Sequence, residues 1–114
     1  MSAVVPRRFQ VADPVSATLQ CLAAEVPRGT QLIVFGSRAR GDARPDSDVD
    51  LLVIEPEVKD RMAEAVRLSS LLGRRLIPAD VIVMSRSALD EEKGVPNSLA
   101  FRAVREGTIH ELAG

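Results

Sequence analysis

Two aliphatic runs, QLIVF at residues 31–35 and LLVIE at residues 51–55, are joined by the loop GSRARGDARPDSDVD, which carries four aspartates and several arginines. Short, β-branched apolar runs of this kind form buried strands. A chain that turns from one buried strand into the next through so many charges must place those charges together at a sheet end. In a strand successive side chains alternate faces, so Asp48 and Asp50 project to one side while Val49, Leu51 and Val53 project to the other. Two neighbouring carboxylates repel unless something positive binds between them, and a divalent cation would do so.

The rest of the chain supplies the frame. VSATLQCLAAEV, residues 15–26, keeps helical spacing after Asp13 and Pro14, an N-cap and a first helical residue, and Pro27, Arg28 and Gly29 end it. DVDLLVIE is a second strand stopped by Pro56. From Val58 to Leu72 the positions Val58, Met62, Ala65, Val66, Leu68, Ser69 and Leu72 define one helix face, with Gly73 as its C-terminal cap. ADVIVMS is a third strand, and NSLAFRAVREG a final helix capped by Asn97 or Ser98 and stopped by Gly107. The order helix, strand, loop, strand, helix, strand, helix predicts a small α/β (α+β) domain, a mixed sheet flanked by about four helices. At 114 residues one domain over 1–114 is expected.

Composition narrows the chemistry. With 15 basic and 16 acidic residues, nothing global draws the chain to nucleic acid or an anionic membrane, so phosphate binding must be local. One cysteine, Cys21, excludes an internal disulfide and reads as a buried thiol in a reducing cytosol. The lack of any apolar run of roughly 18 residues points to a cytoplasmic protein. A single histidine, His110, leaves no Cys/His zinc site, and chemistry falls to carboxylates, arginines and backbone amides.

Several sites compete for the charged loop. Asp46, Asp48, Asp50 and Glu57 fall at the ligand spacing of a calcium-binding EF-hand, but Leu51 stands where that loop needs glycine. GSRARGD has the glycine spacing of a P-loop, with Asp42 in place of its lysine. A solvated turn with Asp50 paired to an arginine is the plainest alternative. Against these, Gly36 lets a phosphate approach the backbone, and the Ser37 hydroxyl and following amides can donate to it. Arg38 and Arg40 either neutralise a triphosphate or pair with Asp42 or Asp46. Asp80, opening the third strand, would complete a three-aspartate cluster if that strand lies beside the second. Hard oxygen donors suit Mg2+ or Mn2+ shared with nucleotide phosphates.

Gly36 and Ser37, the ten residues RARGDARPDS and then Asp48-Val49-Asp50 form a pattern that resembles the signature of the DNA polymerase β-like nucleotidyltransferase superfamily. The short GSRARGDARPDSDVDLLV form resembles the minimal nucleotidyltransferases, the antitoxins of HEPN/MNT toxin-antitoxin pairs, over about residues 15–112. The resemblance implies a nucleotidyltransferase fold in which Gly36 and Ser37 hold the nucleotide phosphates. It further implies that Asp48 and Asp50 bind two Mg2+ ions and that Asp80 is the third carboxylate, helping to activate the attacking hydroxyl. It implies transfer of AMP from ATP to a tyrosine of a helical HEPN-type toxin, and the balanced charge leads to the expectation of no direct nucleic-acid or membrane binding. A binding module that neutralises a partner without catalysis is the alternative, and a transferase acting on aminoglycosides or nucleic-acid ends is a third. Arg105 and His110 match the spacing of the HEPN ribonuclease motif, but Gly107 lies between them and His110 is assigned no role.

Overall fold

A computed structural model describes residues 13–112. Four strands, β1 (Gln31–Phe35), β2 (Val49–Glu55), β3 (Ala79–Ser85) and β4 (Thr108–Glu111), form one sheet in the order β3-β2-β1-β4. β1 runs antiparallel to β2 and to β4, whereas β2 and β3 are parallel. The sheet is therefore mixed, as its strand patterns predict. Five helices accompany it: α1 (Pro14–Ala23), α2 (Ser37–Arg40), α3 (Arg61–Arg74), α4 (Arg86–Glu92) and α5 (Leu99–Glu106).

Both sheet faces are covered, which explains why the central strands are continuous aliphatic runs rather than alternating ones. On one face Leu32, Val34, Val49, Leu51, Val53, Val81 and Val83 pack with Leu22 and Cys21 of α1 and Leu68 and Leu72 of α3. On the other, Ile33, Leu52, Ile54 and Met84 pack with Leu89 of α4 and Ala100 and Ala103 of α5. Cys21 is buried, as expected.

The starts of α1 and α5 follow the sequence, whereas α3 begins at Arg61, after Val58, because the Asp60 side chain caps it by accepting from the Ala63 amide. Asp13 accepts from the Val15 and Ser16 amides with Pro14 in the first turn, and Ser98, not Asn97, caps α5 by accepting from the Phe101 amide. Helix ends depart from it. α1 stops at Ala23, leaving Val26 in the turn, and Gly73 lies inside α3, which is capped at Arg75 before Leu76 takes a left-handed φ of 57°. Met62 and Val66 are 71% and 63% exposed, so the core-facing side of α3 is Ala65, Leu68, Leu71 and Leu72. α4 and β4 are not evident from periodicity. α4 buries a single leucine, Leu89, and β4 is an exposed four-residue strand that exists through its pairing with β1. His110 belongs to that strand, opposite Leu32 and beyond the end of α5.

Candidate functional site

Three strand ends meet at one rim of the sheet. β1 ends at Phe35, whose register partner is Asp50, the second residue of β2, and Asp50 is in turn paired with Asp80, the second residue of β3. Parallel neighbours in register present their side chains on the same face, so Asp50 and Asp80 stand side by side. The expectation that the third strand lies beside the second is met. Asp48 precedes β2 and is exposed, and its charge also reaches Asp50.

Burial holds the Asp50 carboxyl above the ordinary carboxylate range, Asp80 and then Asp48 push it further up, and Arg40 pulls the other way. The three aspartates are thus a mutually repelling group only partly neutralised by the protein. Among the described residues, no three acidic, histidine or cysteine side chains are placed together to hold a metal ion, and Asp50 and Asp80 line a common hollow without Asp48. A cation at this rim would fill its shell with water and phosphate oxygens, the manner in which Mg2+ ordinarily binds. The donor set fits such an ion: all oxygen, negatively charged and open to one side.

Gly36 is built into the same rim. Its φ of 71° and ψ of −149° form a backbone shape available in practice to glycine alone. A Cβ at this position would overlap Asp50 Oδ2 and lie 3.1 Å from Asp50 Cγ. The missing side chain is what lets the turn pass directly over the carboxylate. α2 follows at once: the Ala39 and Arg40 amides donate to the Gly36 carbonyl at 3.1 and 3.0 Å, and the Gly41 and Asp42 amides to the Ser37 carbonyl at 3.0 and 3.1 Å. The Ser37 and Arg38 amides lie ahead of these bonds, at the mouth of the turn.

The two arginines of α2 separate. Positions two apart on a helix point about 200° from one another. The Arg38 guanidinium donates to the Ser47 carbonyl at 2.8 Å and the Pro45 carbonyl at 3.4 Å, tying down the loop, and lines a hollow with Val34, Thr108 and His110 instead of the one at the aspartates. Arg40 lines the aspartate hollow, and its Nε approaches Asp42 Oδ2 at 3.3 Å in a pair that is more than half exposed. Asp42 therefore serves the loop, and the Asp46 carboxylate forms no ion pair among the described residues.

The hollow, of about 320 Å³, is bounded by Gly36, Arg40, Asp50 and Asp80 on one side and by Leu99, Arg102 and Glu106 of α5 on the other. Sequence reasoning missed the α5 wall. Its only trace is the spacing of Leu99, Arg102 and Glu106, which shows that they share a helix face but not what that face meets.

A glycine-serine turn thus stands over Asp50 of β2, with Asp48 just ahead of that strand and Asp80 on the parallel neighbour. The family model described as a nucleotidyltransferase domain matches residues 15–105. The chain belongs to that family. Among solved structures, a provisionally assigned minimal nucleotidyltransferase is 33% identical, with 82% of this chain and 85% of that one covered and a TM-score of 0.50. A toxin-antitoxin with AMP-PNP is 20% identical over 82% of this chain and 69% of that one, with a TM-score of 0.58. The toxin-antitoxin MntA-HpeT, in a mutant form, is 16% identical over 85% and 70%, with a TM-score of 0.55. These last two establish likeness of fold. Comparison with curated proteins finds no match.

Proposed function

We propose that this protein is a metal-dependent nucleotidyltransferase that transfers AMP from ATP to a hydroxyl of a protein partner, a tyrosine of a HEPN-type toxin, and so acts as an antitoxin. The observation that carries the reading is the register of Asp50 with Asp80 beneath the Gly36 turn, two carboxylates beside a hollow of about 320 Å³. Gly36 and Ser37 hold the phosphate chain, while Asp48, Asp50 and Asp80 would hold two Mg2+ ions, with Mn2+ as a substitute. When bound, the ions supply charge stabilisation to the attacking and leaving oxygens at the α-phosphorus. Asp80, exposed at the start of β3, would draw the proton from the incoming hydroxyl. The hydroxyl oxygen bonds to the α-phosphorus, the bond to the β-phosphate breaks, and pyrophosphate leaves.

The neighbour that carries AMP-PNP supports a nucleotide donor, and the toxin-antitoxin neighbours support a toxin as acceptor. The expected experiment is incorporation of label from α-labelled ATP into the product of the adjacent reading frame, dependent on Mg2+. The Asp48→Ala/Asp50→Ala protein should lose at least ~100-fold of the rate, since it removes the charge stabilisation of the transferred group. Transfer at the wild-type rate by the double variant would sink the proposal.

A second reading is favoured by the open arrangement of the aspartates. In it the chain neutralises its partner by covering a surface, with no catalysis. Growth rescue from the toxin that survives the double substitution, with no label transferred by the wild type, would select it.

A further inference from the structure

We infer that Arg102 is a second arm of the phosphate site, gripping the donor's phosphate chain from the wall opposite Gly36 and Arg40. This rests on the nucleotidyltransferase reading above and adds a binding residue to it from an element that carries none of the signature.

The orientation of α5 is set by its buried face. Ala100 and Ala103 are fully buried against Ile33 and Leu52 and fix the inward face of the helix. Phe101 and Arg105 occupy one flank, with the guanidinium carbon 5.6 Å from the ring centroid. The other flank carries Leu99, Arg102 and Glu106, one helical turn apart, and these three line the hollow that also contains Gly36, Arg40, Asp50 and Asp80. α5 is held close to the sheet by Gly107, where a Cβ would come within 2.8 Å of the Val34 carbonyl oxygen.

Arginines elsewhere in the fold have protein partners. Arg38 is bound to loop carbonyls and Arg86 to the Gly29 carbonyl, whereas Arg102 forms no hydrogen bond or ion pair among the described residues, including with Glu106 one turn away. An exposed arginine ordinarily needs no ligand, but this one lines the same hollow as Asp50 and Asp80, whose charge a cation would neutralise. With that charge cancelled, Arg40 from α2 and Arg102 from α5 remain as the positive groups lining a space of about 320 Å³. Planar guanidinium forks are suited to paired phosphate oxygens. Arg40 is available as well, because its pair with Asp42 is solvent-exposed and weak.

The test is calorimetric titration of the full chain with magnesium tripolyphosphate and with magnesium ATP. Arg102→Ala should weaken both by about 10- to 100-fold, as expected for loss of a charge-assisted bond, with Arg102→Lys retaining part of the affinity. Arg105→Ala removes the same charge from the same helix on the wrong flank, and its affinities should stay within about twofold of wild type. Equal binding by wild type and Arg102→Ala would overturn the inference while leaving the nucleotidyltransferase reading intact. Equal losses in Arg102→Ala and Arg105→Ala would also overturn it, by reducing the effect to general electrostatics. A wild-type chain that binds neither magnesium ATP nor tripolyphosphate would refute both.

Discussion

Gly36 is required twice, by its backbone angles and by the carboxylate beneath it. Alanine there must strain the turn and displace Asp50. We expect Gly36→Ala to lose about 1–3 kcal/mol of stability in urea unfolding, the scale of a residue forced into a disfavoured backbone region. Nucleotide transfer should fall further than stability alone explains, because Asp50 would leave its register with Asp80. Wild-type stability and transfer in this variant would show the turn to be more plastic than its geometry implies. The same residue scale separates Arg38 from Arg40. Their chemistry is identical and their places in the loop similar, yet one fastens loop carbonyls and the other borders the aspartates. The direction of a side chain from a single helical turn depends on where that turn sits on the sheet, and this cannot be read from two positions alone.

β2 carries a second acidic feature at its other end. Glu55 is buried, its Oε2 has no partner among the described residues, and burial first, then a hydrogen bond with Glu64 and that group's charge, raise its pKa to about 7. Glu64 is driven the other way, to about 2, mainly by Arg67, whose Nε and Nη2 donate to its two oxygens at 2.8 Å each. The signs oppose. Glu55 retains a proton in the folded state that the unfolded chain releases, so its contribution falls as pH rises from the ordinary glutamate range to about 7. Glu64 contributes stability above the ordinary glutamate range and loses it as pH falls towards 2. Glu55→Gln keeps the shape without the charge and should flatten the decline between pH 5 and 8, giving about 1–3 kcal/mol more stability than wild type at pH 8. Parallel pH profiles for the two proteins would remove Glu55 as the cause. This feature was not legible in the strand pattern, because Glu55 reads as the polar end of DVDLLVIE until α3 is laid over it.

At the scale of the molecule, both helical layers pack on one sheet, and β1 and β2 contribute to both apolar clusters. We propose that the chain unfolds as one domain. With no tryptophan or tyrosine to report on tertiary structure, the test is superposition of the far-UV dichroism transition with amide NMR signals from β2, α3 and α5. Separate transitions for the two faces would refute a single cooperative unit. No described helix is long and apolar enough to cross a membrane, as the sequence also indicates.

Strands β1, β2 and β3, the starts of α1 and α5, and the Gly36-Ser37 turn before Asp48 and Asp50 were all determined by the sequence itself. They depend on local chemistry: aliphatic runs, capping side chains and a glycine-bearing turn at a strand end. Tertiary structure alone decided what those elements meet. It set β3 beside β2 so that Asp80 joins Asp50, created β4 by pairing it with β1, and turned one flank of α5 towards the aspartates. Those outcomes come from contacts between residues far apart in the chain, whose partners no local pattern specifies.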